Sequence, residues 1–356
     1  MSGYSVVLAA GPAGRPEPRR LQRCLDALAA SDGPIPERVV LVDDRPATAA
    51  DLALRVPRRL ADRFQLLRTD QAGHAAALNL GWRACTGDWV TLLTDGVVPS
   101  ATWRTDLIRD LDETVTTVGA VRGRVHLADA APSTGAGAAP GTAEAATIGW
   151  AVADMTYRRL ALERLEGFDE RLTTRAAVEL ALRLLTDGWD LESGRRQSTY
   201  RPPSAERWAR LPVLADAALL VDDALLRRLY GPGWEQRTAS TPVRRRWPPV
   251  ATGLAVATGT ALLRRQRAIA AVLGLGWLAT TIAATWSGRS VAGQPLRTVL
   301  NWLVALVAAP ALVAELVRGA WLHRYARPWT ETVGPAARIR PYPPAPHRHA
   351  DLPATW

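Results

Sequence analysis

The sequence predicts an α/β domain with a doubly wound, mostly parallel sheet, followed by C-terminal hydrophobic helices. Three observations carry that reading. Short runs such as Val39–Val42 and, but for Thr91, Trp89–Leu93 are apolar throughout, as suits strands buried on both faces. Helix-period segments separate them at the spacing of βα units. Past residue 248 the alternation stops and long uncharged stretches take over.

The elements follow in chain order. Ser5–Ala10 reads as the first strand, and Glu17–Ala30 as a helix with Leu21, Leu25 and Leu28 on one face. Arg38–Asp44 is the second strand and Phe64–Arg68 the third. A helix from Ala75 to Cys85 leads into the strand Trp89–Leu93. Thr102–Thr114 reads as a helix and Val118–Leu127 as a strand. Residues 128–146 are nearly all Ala, Gly, Pro, Ser and Thr, too poor in large apolar side chains to bury a core, and read as a loop within the domain. Helices follow at Arg159–Leu165 and Ala176–Leu185, the latter ended by Asp187-Gly188. Leu211–Tyr230 is a further amphipathic helix. The resulting organisation is a domain over 1–235, a helical region over 236–330 and a Pro- and Arg-rich disordered tail over 331–356.

Composition narrows the partners. All 44 basic residues are arginine and the net charge is +10. A diffuse arginine excess suits anionic lipid or phosphorylated ligands. Without zinc-finger spacing or an aromatic-interleaved RNA motif, no nucleic acid is expected as a partner. Cys24 and Cys85 read as buried thiols of a reducing compartment. The chain enters a strand almost at once, so no secretory signal is expected.

In the C-terminal third, Ala268–Trp286 is 19 residues without charge and Thr298–Val317 is 20 with only Glu315. Both approach the roughly 20 residues that cross a bilayer core. Arginines at 318, 324 and 327 outnumber those at 289 and 297. The positive-inside rule then puts the N-terminal domain and the tail in the cytoplasm, at the cell membrane. The weaker run Pro248–Leu263, flanked by arginines on both sides, would lie in the membrane interface. Buried helices of a soluble domain are the competing reading of the same runs.

Acids end two strands, at Asp43-Asp44 and at Asp95, and open α/β sheets bind ligands at the carboxyl ends of their strands. Further signatures follow in order: Asn79-Leu80-Gly81-Trp82 with Thr86-Gly87, the Leu93–Pro99 stretch, Gly167-Phe168-Asp169-Glu170, Leu180-Ala181-Leu182-Arg183 and Gly188-Trp189. In that order and spacing, residues 4–235 resemble the family-2 glycosyltransferases, which move sugars from nucleotide-sugar donors on a Rossmann-like GT-A fold. The resemblance implies a donor-binding role for Asp43, Asp44 and Asp95, with Asp95 also holding a divalent cation, Mg²⁺ or Mn²⁺, against the diphosphate.

The pattern is reduced at two places. Where the family carries an Asp-x-Asp element, this chain reads Thr94-Asp95-Gly96, so one acid remains. Where it carries the Glu-Asp pair whose carboxylate takes the acceptor's proton, this chain reads Ala176-Ala177. Glu179, three residues on and thus on the same helical face, and Asp169 are the substitute catalytic carboxylates. Two readings stand side by side. One is a membrane-attached inverting transferase acting on a lipid or a membrane-proximal acceptor. The other is a catalytically impaired relative that keeps nucleotide binding and serves as a scaffold.

Overall fold

A computed structural model of the chain describes residues 3–10, 18–128, 153–201, 212–237, 247–285 and 295–326. Residues 129–146 of the Ala/Gly-rich segment and the tail from 331 lie outside the described residues. The chain divides between Arg201 and Pro202 into two compact units, ahead of the boundary at 235 read from the sequence.

The first unit is built on one eight-stranded sheet in the order β3-β2-β1-β4-β7-β6-β8-β5. Its strands are β1 (Tyr4–Ala10), β2 (Arg38–Asp43), β3 (Phe64–Arg68), β4 (Trp89–Thr94), β5 (Val97–Pro99), β6 (Val118–Leu127), β7 (Asp154–Arg158) and β8 (Asp190–Tyr200). β3, β2, β1 and β4 are mutually parallel. β7 then runs antiparallel to both β4 and β6, β6 and β8 are parallel, and β5 closes the sheet antiparallel to β8. The sheet is therefore parallel in its first half and mixed in its second.

Every residue of β1 is buried, which explains its unbroken apolar run. Helices α1 (Pro18–Ala30) and α3 (Trp103–Glu113) cover one face through Leu21, Leu25, Leu28, Trp103 and Leu107, packed with Val6, Leu8, Val39 and Leu41. Helix α2 (His74–Arg83) covers the other face, where Gly81 comes so close to Val7 and Val42 that a β-carbon would collide with Val7. The sheet is thus wound on both sides. Two further helices, α4 (Arg159–Arg164) and α5 (Ala176–Thr186), complete the unit.

The second unit holds α6 (Pro212–Tyr230), the short α7 (Trp234–Arg237), α8 (Trp247–Leu263), α9 (Arg267–Thr285) and α10 (Pro295–Leu322). Leu220, Ala251, Ala308, Ala309 and Leu312 form its core. Gly319 lets α10 approach the backbone of α6 at Val221. Among the described residues, no helix is long and apolar enough to cross a membrane. The stretches read as spans fall on α9 and α10. Pro310 lies inside the second without ending the helix, although it cannot donate a backbone hydrogen bond there.

Candidate functional site

In the parallel half, all four strands present their carboxyl ends along one edge. Because β2 and β4 flank β1, their tips stand roughly 10 Å apart, at about 4.8 Å per strand. The chain steps outward from β1 to β2 and β3, then crosses back through α2 to lay β4 on the other side of β1. Such a reversal opens a crevice at the strand ends where ligands bind. Asp43 and Asp44 lie on one side of that crevice and Asp95 on the other.

Each acid has a defined partner. Asp43 is buried and takes a two-pronged contact from Arg45 at 2.7 and 2.8 Å, with Arg68 at 3.6 Å. Burial pushes its carboxyl up, but the hydrogen bonds and charge of Arg45, with the charge of Arg68, outweigh this and hold it below the ordinary value. Asp44 is also buried. It accepts hydrogen bonds from Thr69 Oγ1 at 2.6 Å and from the amides of Ala72 and Gly73 at 2.7 and 3.0 Å. It thereby fastens the turn that opens α2, where Gly73 holds a φ of 103°. His74, the first residue of α2, has its pKa lowered by burial, against the opposing charge of Asp44.

Asp95 differs: its side chain keeps 28% of its exposure, while its partner Arg20, at 3.2 Å, keeps 3%. Arg20 comes from α1 and lies with its guanidinium 5.9 Å from the centre of the Tyr200 ring. Sequence reasoning passed over this residue. Its signal was helical phase: Arg20 precedes Cys24 by four residues and Leu28 by eight, so it is a charge on an apolar stripe.

Deeper in the mixed half lies a second charged cluster that sequence reasoning missed. Arg196 is fully buried between Asp154 at 2.8 Å and Asp110 at 3.5 Å. Asp154 also accepts from Trp103 Nε1 at 2.8 Å and Ser198 Oγ at 2.9 Å. Gly123 leaves room for that carboxylate, which a β-carbon would meet at 2.6 Å. With its oxygens bonded on several sides, the cluster ties α3, β7 and β8 together.

The two substitute bases, Glu179 and Asp169, are each bonded to an arginine. Glu179 is buried within α5 and receives Arg183 at 2.8, 2.9 and 2.7 Å. Arg183 also donates to the carbonyls of Leu165 and Gly167, at 2.5 and 2.6 Å, so the pair clamps the turn before Phe168. Asp169 is gripped by Arg171. Burial raises its carboxyl, but the Arg171 hydrogen bonds and the charges of Arg171 and Arg183 prevail and lower it. A carboxylate so stabilised in its charged form is a weaker base.

Two signatures distant in sequence meet here. Asn79 donates to the carbonyl of Phe168 at 2.9 Å and to Glu170 at 2.9 Å. It accepts from the Phe168 amide at 2.8 Å and from Trp82 Nε1 at 3.0 Å. Gly167, with a φ of 79°, sits where a β-carbon would strike Asn79 and Trp82. These motifs hold α2 to the segment before α5.

A divalent cation bound through Asp95 does not fit the donor set. Such a cation takes about six hard oxygen ligands, several of which can be water or phosphate. At the β4 tip a single carboxylate is available, and it is already paired with Arg20. Gly96 offers none, and a side chain there would run into Arg20, Tyr200 and the carbonyl of Arg201. Among the described residues, no group of three or more His, Cys, Asp or Glu could hold a metal ion. Arg207 and Trp208, a basic-aromatic pair, lie outside the described residues.

Residues 15–131, running from ahead of α1 to the end of β6, match the family described as Glycosyl transferase family 2. That segment carries the match to the family-2 glycosyltransferases and makes up most of the described α/β unit. Among solved structures, this chain is similar to GalNAc-T7, crystallised with UDP, GalNAc and Mn²⁺. Identity is 14% over 66% of this chain and 49% of that one, with a TM-score of 0.51. This chain thus spans about half the length of that structure, and the likeness is one of fold. The mannosyltransferase PcManGT from Pyrobaculum calidifontis, in complex with GDP-Man and Mn²⁺, is 17% identical over 91% of this chain and 81% of that one, with a TM-score of 0.45. The S. aureus TarS 1-349 structure with UDP is 13% identical over 79% and 91%, with a TM-score of 0.42. No curated protein matches the chain.

Proposed function

We propose that the first unit binds a nucleotide-sugar at the crevice between the β1 and β4 tips and transfers the sugar, with inversion, to a membrane-proximal acceptor. The observation that supports this best is the reversal of strand order beside Asp95 within the family-matched segment. GalNAc-T7, similar in fold, was crystallised with UDP, which favours a nucleoside diphosphate as the recognised group.

A second reading is favoured by a specific observation. The helix start that would carry the acceptor's base is Ala176-Ala177, and Glu179 and Asp169 are both held by arginines. Proton removal contributes about 10²–10⁴-fold to such reactions. On this reading the chain binds the donor and acts as a scaffold. Transfer or donor hydrolysis by the purified full chain separates the two. Turnover in the natural chain, lost in Asp169→Asn, supports the enzyme. Turnover appearing only in the double variant Ala176→Glu and Ala177→Asp supports the scaffold.

The second unit supports attachment to the cytoplasmic face of a membrane by lying in its interface. α8 and α9 expose Val256, Leu263, Val272 and Leu275, with Arg264, Arg265 and Arg267 exposed at the turn between them. Apolar side chains beside arginines suit an anionic bilayer surface. The full chain is expected to float with vesicles containing phosphatidylserine and to stay behind with phosphatidylcholine alone. Flotation indifferent to lipid charge would count against it.

A further inference from the structure

The misfit between the β4 tip and a divalent cation has a positive counterpart. Arg20 places its guanidinium beside Asp95, and Nη2 occupies the space a side chain at position 96 would need. Its Nε and Nη1 are buried and have no hydrogen-bond partner among the described residues. Leaving charged donors unbonded in the interior is costly, and such groups in native proteins call for an explanation. A planar guanidinium is always charged and presents its N–H groups as a fork that matches phosphate oxygens.

We propose that Arg20 takes the place of the metal ion, so that this site recognises a nucleoside diphosphate without a divalent cation. The inference rests on the donor-binding reading above. Asp95 then positions the guanidinium through one edge, leaving Nε and Nη1 to donate toward the diphosphate. Diphosphate binding gives those two nitrogens the acceptors they lack. Gly96 is required in this arrangement because any larger residue displaces Arg20. The single surviving acid of the motif is explained as an anchor for arginine.

The test titrates UDP and GDP into the full chain by calorimetry, once with EDTA and once with Mn²⁺, and follows Mn²⁺ alone by electron paramagnetic resonance. The expected result is the same nucleotide affinity in both buffers, with the free Mn²⁺ signal undiminished by the protein. Arg20→Gln, checked for folding by its melting curve, should bind at least about ten-fold more weakly. Nucleotide binding that requires Mn²⁺ would overturn the proposal, as would Mn²⁺ binding that disappears in Asp95→Asn. The titrations with EDTA and with Mn²⁺ use the unmutated chain, so a misfolded variant does not remove the test. If neither nucleotide binds in either buffer, the donor-binding reading falls and this one with it. If nucleotide binds with Mn²⁺ alone, only the arginine proposal falls.

Discussion

The tip of β4 and the start of α5 carry the same pair of residue types and use them differently. At β4, Asp95 is partly open to solvent and its arginine keeps two nitrogens unbonded among the described residues. At α5, Glu179 is sealed and Arg183 is occupied by the carboxylate and two carbonyls. The first arrangement has capacity for a ligand, and the second serves to fix a turn. An acid at a motif position therefore says little about chemistry until its partner's remaining hydrogen bonds are counted.

The largest expected effect tests the sealed side. Arg183→Met leaves Glu179 charged and buried and releases the carbonyls of Leu165 and Gly167. Breaking a buried pair in this way costs about 3–5 kcal/mol, read by urea unfolding. Nucleotide affinity of the folded fraction should not change; a stable variant would show that the pair is not structural. Gly167→Ala comes next, since its positive φ and the nearness of Asn79 and Trp82 strain any β-carbon. A loss of about 1–3 kcal/mol is expected.

The smallest effect is acid sensitivity. Asp43 and Asp169 have folded pKa values below their unfolded ones. Their contribution is fully present above the unfolded value of about 4 and fades as pH falls through the lower folded value. Stability should decline on acidification below about pH 4, and the decline should be shallower in Asp43→Asn.

Strands β1, β2 and β4 were legible because they are buried on both faces and read as apolar runs. Phe64–Arg68 and Val118–Leu127 fall on β3 and β6 to the residue. β8 was not legible. Its buried positions alternate, at Gly194, Arg196 and Ser198, but a glycine and two internally paired polar residues fill them, so no hydrophobic period marks the strand. The site divides in the same way. Asp43, Asp44 and Asp95 were visible as strand-end acids, whereas Arg20 is distant in sequence and meaningful only beside Asp95. The two hydrophobic runs in the second unit fall on α9 and α10.

The most direct test of the central claim is hydrogen–deuterium exchange of the full chain with and without a nucleoside diphosphate. Slowed exchange confined to the turns after β2 and β4, residues 44–47 and 94–97, and to the 69–74 segment is the predicted result. Unchanged exchange at all three segments, or protection only elsewhere, would contradict a donor site at the strand tips.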